Sequence, residues 1–93
     1  MKKKIAILGS TGSIGKTLLE IVNKNRKVFD INLLSENKNY KKILNQAIKF
    51  KVKNIIIHDF ETFKKSKKIF LRKKIKIFNS VQEFKKYKKI RFD

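Results

Sequence analysis

All three glycines of this 93-residue chain lie within the seven residues from Gly9 to Gly15. The apolar run Ile5–Leu8 precedes them and predicts a short buried strand. From Ile14 to about Asn25 the apolar residues return at helical spacing, which predicts a helix. A strand, a glycine loop and a helix in this order present backbone N–H groups to a phosphate. The segment therefore predicts a phosphate-binding turn near the start of an α/β fold.

Each glycine of the loop has its own expected purpose. Gly9 turns the chain sharply off the strand, Gly12 lets a pyrophosphate approach the backbone, and Gly15 lets the helix pack closely on the sheet. Three hydroxyl side chains stand at the helix entrance, where they can cap the helix or bond a phosphate; they belong to Ser10, Thr11 and Ser13. The alternative is a plain strand-to-helix turn with a serine cap, which rarely needs three glycines.

The rest of the chain alternates between the two periodicities. Further strands are predicted at residues 28–34, 54–59 and 75–78, and further helices at 40–51, 61–72 and 81–89. Residues 35–39 form a polar loop. This alternation implies a parallel sheet with right-handed crossovers, the first mononucleotide-binding half of a Rossmann-type α/β fold.

Apolar patterning also predicts which surfaces are buried. The first helix carries an apolar stripe that we expect to face the core. The stripe consists of Ile14, Leu18, Leu19, Ile21 and Val22. The continuous apolar run of the third strand indicates a strand that is covered on both faces.

Composition limits the class of protein. The chain is long enough for one small domain, and it has no cysteine, so disulfides and thiolate metal sites are excluded. The basic stretch Met1–Lys4 is followed by too few apolar residues for a signal peptide, and no apolar run is long enough to span a membrane. We therefore expect a cytoplasmic location and no membrane partner.

The net charge of +19 is a possible sign of nucleic-acid binding. The lysines are scattered along the whole chain instead of being gathered in one segment, so we interpret the charge as a property of solvated faces. No specific nucleic-acid partner is expected. A binder that acts through charge, with phenylalanines and tyrosines stacking on bases, remains an alternative.

The segment Lys4–Gly15 resembles the opening of the 1-deoxy-D-xylulose 5-phosphate reductoisomerases. The similarity continues through Phe29–Leu34, Asn37–Asn39, Gln46, Phe50 and the strand Ile55–Asp59. It covers about residues 3 to 60 well and the remainder loosely. It implies that residues 1–93 are part of an N-terminal NADP-binding domain and that the catalytic and C-terminal domains are absent from this chain. The family forms 2-C-methyl-D-erythritol 4-phosphate in non-mevalonate isoprenoid biosynthesis, by isomerisation and NADPH-dependent reduction.

The resemblance also implies the site residues and partners. Cofactor contacts are expected at Thr11, Gly12, Ser13, Ile14, Asn37, Lys38 and Asn39. The family pattern for the last three is Gly-Lys-Asn, from which Asn37 departs; asparagine tolerates positive φ better than most residues. A divalent metal (Mg or Mn), a sugar-phosphate substrate and a homodimer belong to the full-length family. No catalytic or metal-binding residue is expected here, and we expect the 93 residues alone to be inactive.

The residues by themselves leave the choice of cofactor open. Glu36 lies 21 residues past Gly15, close to where an acidic residue binds the ribose 2′-hydroxyl of NAD. Lys38 in the same loop suits the 2′-phosphate of NADP instead. The resemblance favours Lys38 and NADP(H).

Two further expectations concern the loop and the chain end. Residues 10–17 nearly fit the P-loop pattern G-x-x-x-x-G-K-[ST], with Ser10 where glycine is required, so a nucleotide-binding protein that uses Lys16 is an alternative. Residues 90–93 resemble the lead-in to a further strand. That strand is expected on the free side of the first strand, where the cofactor crevice of such folds forms.

Overall fold

A computed structural model describes residues 2–88 and Phe92, with strands and helices in strict alternation. The strands are β1 Lys3–Ile7, β2 Phe29–Glu36, β3 Asn54–Ile57 and β4 Lys76–Phe78. The helices are α1 Ser13–Lys24, α2 Tyr40–Phe50, α3 Phe60–Arg72 and α4 Val81–Tyr87. The predicted β-α-β-α-β alternation is confirmed.

The strands form one parallel sheet in the order β1-β2-β3-β4. Ile7 pairs with Leu34, Leu34 with Ile55, and Ile55 with Ile77, so one apolar row crosses the whole sheet. Because the strands are parallel, their carboxyl ends lie at the same edge. This is the predicted Rossmann-type arrangement, in an incomplete form.

The sheet is covered unequally on its two faces. Helices α1, α2 and α3 pack on one face, where Leu34, Ile43 and Phe70 are fully buried. On the opposite face the short helix α4 packs Phe84 edge-to-face against Phe78, with ring centres 5.4 Å apart. All four residues of β3 are buried, as its continuous apolar run predicts.

The predicted core stripe of α1 is only half correct. Leu19 and Val22 are buried, whereas Ile14, Leu18 and Ile21 are 80%, 43% and 48% exposed. The reason is the position of β1, which is an edge strand of the described sheet. The inner side of α1 packs on β1 and β2, and its outer side has no strand beneath it.

Some predicted boundaries also shift. Leu8 leaves β1 and is 63% exposed. Ser35 and Glu36 were expected in a polar loop, but β2 continues through both because Ser35 pairs with Ile56 of β3 and Glu36 with Ile57. The predicted strand lead-in at residues 90–93 lies outside the described residues except for Phe92, which packs beside Phe84.

The high net charge affects the pKa of an individual lysine in the fold. A hydrogen bond with Lys76 lowers the pKa of Lys88, and burial and the positive charge of Lys76 lower this pKa further. Repulsion between like charges works against the compact state. Within residues 2–88, no helix combines the length and apolar character that crossing a bilayer requires.

Asp59 fixes the start of α3. Its Oδ2 accepts hydrogen bonds from the Thr62 hydroxyl at 2.7 Å and the Thr62 N–H at 3.1 Å. These bonds are the main reason that the pKa of Asp59 falls below its ordinary value of 3.8, with smaller help from the charges of Lys38 and Lys65. A carboxylate at a helix N-terminus also complements the helix dipole.

We therefore expect Asp59→Ala to lower the melting temperature at pH 7. The lowered pKa means that the stabilisation is complete above the unfolded-state pKa and is lost as the pH falls through the folded-state value. The difference in melting temperature between the parent chain and the variant should thus close below about pH 4. Asp30→Ala removes the same charge from the exposed side of β2 and is the control. A difference for Asp59→Ala that stays constant from pH 7 to pH 3 contradicts this assignment.

Candidate functional site

The glycine loop has the backbone geometry that its sequence predicts. Gly9 has a φ of +68°, a conformation that side chains disfavour, and its carbonyl accepts a hydrogen bond from the Gly12 N–H at 3.1 Å. A Cβ on Gly15 would lie 2.4 Å from the Gly9 oxygen and 2.6 Å from the Ser10 Cα. The sharp turn expected at Gly9 is confirmed. Gly15 does permit close packing of α1, but its near neighbours are the loop backbone at Gly9 and Ser10 and not the sheet.

Gly12 is different, because the fold itself does not require a glycine there. Its φ is −79°, and an added Cβ would lie 3.5 Å from the Gly9 oxygen, an ordinary van der Waals contact. Gly12 is exposed and directly precedes α1. Within 4 Å an added Cβ meets only the Gly9 oxygen, so the folded chain has space for a side chain at this position.

Ser10 and Gln46 form a two-bond clamp that holds the loop. The buried Ser10 hydroxyl donates to Gln46 Oε1 at 2.7 Å, and Gln46 Nε2 donates to the Ser10 carbonyl at 2.9 Å. From the other side, Ser35 Oγ accepts from the Gly9 N–H at 3.1 Å, and its carbonyl accepts from the Ser10 N–H at 3.0 Å. The prediction that the Ser10 hydroxyl faces the helix entrance is therefore wrong.

The contributions of Ser35 and Gln46 were not foreseen, although the sequence carries a signal for one of them. Gln46 is three residues after Ile43 and one before Ala47, so it shares the core-facing side of α2 with two buried apolar residues. A polar side chain on such a face needs a partner, and the loop supplies it. Ser35 gave no comparable signal, because its burial follows from the continuation of β2.

The second predicted segment, Asn37–Asn39, follows β2 at the same edge of the sheet. The Glu36 carbonyl accepts from the His58 N–H at 3.0 Å, and the Asn37 carbonyl accepts from the Asp59 N–H at 3.1 Å. All three residues of the segment are exposed. The fold thus brings the segment to the edge where the glycine loop lies, since Ser35 contacts that loop and is followed directly by Glu36 and the segment.

The helices differ in how their N-termini are satisfied. Helix α3 is capped by Asp59 and has Glu61 in its first turn, and α4 is capped by Ser80 and has Glu83. Helices α1 and α2, which follow the two predicted cofactor segments, have no side-chain cap and no acidic residue in the first turn. Of the two uses expected for the loop hydroxyls, the structure shows no side-chain cap on α1, and contact with a phosphate stays a prediction. The uncompensated N–H groups of these two helices favour an anion.

The remaining predicted site residues lie on the surface of the loop. Thr11 is partly buried, and Ser13 and Ile14 are exposed in the first turn of α1. The Ser13 carbonyl accepts a hydrogen bond from the Thr17 hydroxyl at 3.1 Å.

Glu36 and Lys38 differ in what they offer a ribose. Glu36 Oε1 accepts a hydrogen bond from the Asn37 N–H at 2.7 Å, so part of the carboxylate is committed to its own loop. Lys38 is exposed. In the described part of the chain, no group of three or more His, Cys, Asp or Glu side chains comes together to hold a metal ion.

The clamp generates a prediction about loop stability. We expect Gln46→Leu to lower the free energy of unfolding by about 1–3 kcal/mol, because it leaves the buried Ser10 hydroxyl and carbonyl unpaired. Hydrogen exchange at the Gly9 and Ser10 amides should accelerate more than exchange in β3. The control is Gln82→Leu on the exposed side of α4. If both variants lose the same free energy of unfolding in urea, the assignment of the clamp is wrong.

Comparison with known proteins points to one family. The family model described as 1-deoxy-D-xylulose 5-phosphate reductoisomerase matches residues 5–90. The reductoisomerase of Pelagibacter ubique is 48% identical over 84 residues, which is 90% of this chain and 22% of that protein. The Porphyromonas gingivalis enzyme is 46% identical over 57 residues, 61% of this chain and 15% of its own length. The chain thus spans less than a quarter of these relatives.

Solved structures agree on the fold. A reductoisomerase from Zymomonas mobilis in complex with NADPH has a TM-score of 0.76 at 23% identity, over 83% of this chain and 20% of that one. A DOX-P reductoisomerase in complex with magnesium has a TM-score of 0.74 at 24% identity, with the same coverage. The fold and the family match over residues 5–90 together establish that this chain belongs to the 1-deoxy-D-xylulose 5-phosphate reductoisomerase family.

Proposed function

We propose that residues 1–93 are the first part of the NADPH-binding domain of a 1-deoxy-D-xylulose 5-phosphate reductoisomerase. The whole protein would isomerise and reduce a sugar phosphate to 2-C-methyl-D-erythritol 4-phosphate, with its catalytic and C-terminal domains outside this chain. A divalent metal, a homodimer and a cytoplasmic location are part of the same proposal for the whole protein. The single observation that carries the cofactor assignment is Gly12, a glycine that the fold does not need.

The glycine loop is the proposed site of the pyrophosphate. The N–H groups at the start of α1 would donate to its oxygens, and three residues around Gly12 would line it: Thr11, Ser13 and Ile14. The absence of a side-chain cap on α1 supports this, because a cap would compete for the same donors. In the whole enzyme NADPH would supply a hydride, and these residues would hold and orient the NADPH molecule.

The segment Asn37–Asn39 is the proposed site of the adenosine ribose. Lys38 would meet the 2′-phosphate, and the uncapped N-terminus of α2 would add to its attraction. The hydrogen bond from the Asn37 N–H to Glu36 Oε1 supports Lys38 as the main recognition residue, since one carboxylate oxygen is already engaged. A carboxylate side chain at Glu36 would oppose binding of the phosphate.

The exposed side of β1 supports a larger domain. Three apolar side chains of α1 beside it are exposed: Ile14, Leu18 and Ile21. A groove of about 250 Å³ runs along Ile5, Leu18 and Ile21. A further strand beside β1 would cover this surface and provide the second wall of the cofactor crevice.

Substitution of single glycines distinguishes a cofactor-binding loop from a plain strand-to-helix turn. We expect Gly12→Ala to stay folded and to lose at least about tenfold in NADPH affinity, because a methyl group there would keep the proposed pyrophosphate from approaching the loop backbone. Gly15→Ala should instead cost about 3 kcal/mol of stability, because its Cβ meets the Gly9 oxygen. Thermal unfolding and NADPH titration of both variants test this. Unchanged NADPH binding by folded Gly12→Ala would sink the proposal.

Charge substitutions test recognition of the 2′-phosphate. We expect Lys38→Ala to weaken NADPH binding about fivefold, the upper range for an exposed ion pair, and Glu36→Gln to strengthen it. Lys16→Ala removes the same charge from α1, where Lys16 lines a groove with Glu20 and Lys49, and is the control. If Lys16→Ala abolishes nucleotide binding while Lys38→Ala has no effect, the P-loop alternative is correct and this proposal is wrong.

A further inference from the structure

Lys65 lies in the second turn of α3, outside the residues assigned above to the cofactor. Its Nζ lies 5.8 Å from the centre of the Tyr40 ring. Tyr40 is the first residue of α2 and directly follows Asn39, so the contact holds the Lys65 ammonium beside the proposed ribose segment. Its position there comes from α3 and was not predictable from the spacing of the loop.

The start of α3 is tied to the same segment. The Asp59 N–H donates to the Asn37 carbonyl at 3.1 Å. The charges of Lys38 and Lys65 both help to lower the pKa of Asp59, after the stronger effect of its bonds with Thr62. The Tyr40 contact of Lys65 and the hydrogen bond from Asp59 to Asn37 thus place this part of α3 beside the segment that carries Lys38.

The side chains of Lys38, Lys65 and Asp59 together carry a net positive charge, which favours an anion. Asp59 Oδ2 accepts hydrogen bonds from the Thr62 hydroxyl and N–H, so this oxygen is engaged in capping α3. Lysine ammonium groups are compact charges with three donors each, and a phosphate dianion accepts bonds from more than one of them. The pair carries one positive charge more than Asp59 neutralises.

We propose that Lys65 joins Lys38 in binding the 2′-phosphate of an NADP-type nucleotide, which makes it a specificity residue contributed by α3. This inference rests on the proposed function, because it assumes that the adenosine ribose lies at Asn37–Asn39. Lys65 would add a second positive charge to that of Lys38 in the loop.

The test compares two probes that differ in one phosphate, adenosine 2′,5′-bisphosphate and 5′-AMP, titrated calorimetrically into the chain. We expect Lys65→Ala to weaken binding of the bisphosphate about fivefold and that of 5′-AMP by less than about twofold. The control is Lys67→Ala. Lys67 makes a similar aromatic contact, 5.4 Å from the Phe63 ring, but it lies about 200° around the helix from Lys65. Each variant loses one positive charge. The effect of overall charge on anion binding is therefore the same in both variants and cancels when they are compared.

The outcomes separate this inference from the function on which it rests. A bisphosphate loss that is confined to Lys65→Ala supports the inference. Equal small losses for Lys65→Ala and Lys67→Ala, with NADPH binding that still depends on Gly12, overturn the assignment of Lys65 and leave the proposed function intact. If the parent chain binds neither NADPH nor the bisphosphate, both are overturned.

Discussion

The close packing of α1 on the glycine loop is the constraint on which the rest of the structure depends. Gly15 lies so near the Gly9 carbonyl that a methyl group does not fit between them. Gln46 and Ser35 then hold the loop from α2 and β2 through four hydrogen bonds. One short segment thereby joins the first helix, the second helix and the first two strands. The loop's shape is set by the folded protein before any ligand binds, which favours binding because little order remains to be imposed.

The helices that begin at the carboxyl edge of the sheet differ in how their N-termini are compensated. Helices α3 and α4 carry caps and acidic first turns, which neutralise their positive ends. Helices α1 and α2 carry neither, and the two segments proposed to contact the cofactor precede them. In a chain of net charge +19 an anion is attracted almost everywhere. The N-termini of α1 and α2 differ from other basic surfaces because they present backbone N–H donors without a side-chain cap. The overall charge of the chain does not provide such donors.

Much of the fold was predictable because local pattern and global topology agree in this chain. The alternation of apolar runs, the left-handed Gly9 and the buried β3 all follow from residue type and spacing. The α1 stripe was misjudged because periodicity identifies an apolar face without showing what covers it; Leu18 and Ile21 lie beyond the edge strand. The burial of the Ser10 hydroxyl was missed for a related reason. Its partner Gln46 is 36 residues away, and only the folded chain brings the two together.

The central claim is that NADPH binds at the carboxyl edge formed by the glycine loop and the segment after β2. The most direct measurement is an amide NMR titration of the ¹⁵N-labelled chain with NADPH at physiological salt. The account predicts saturable shifts concentrated at residues 9–15 and 36–40, with smaller changes on α4. Shifts spread over the lysine-rich surfaces of α3 and α4, without saturation and without change at the glycine loop, would contradict it.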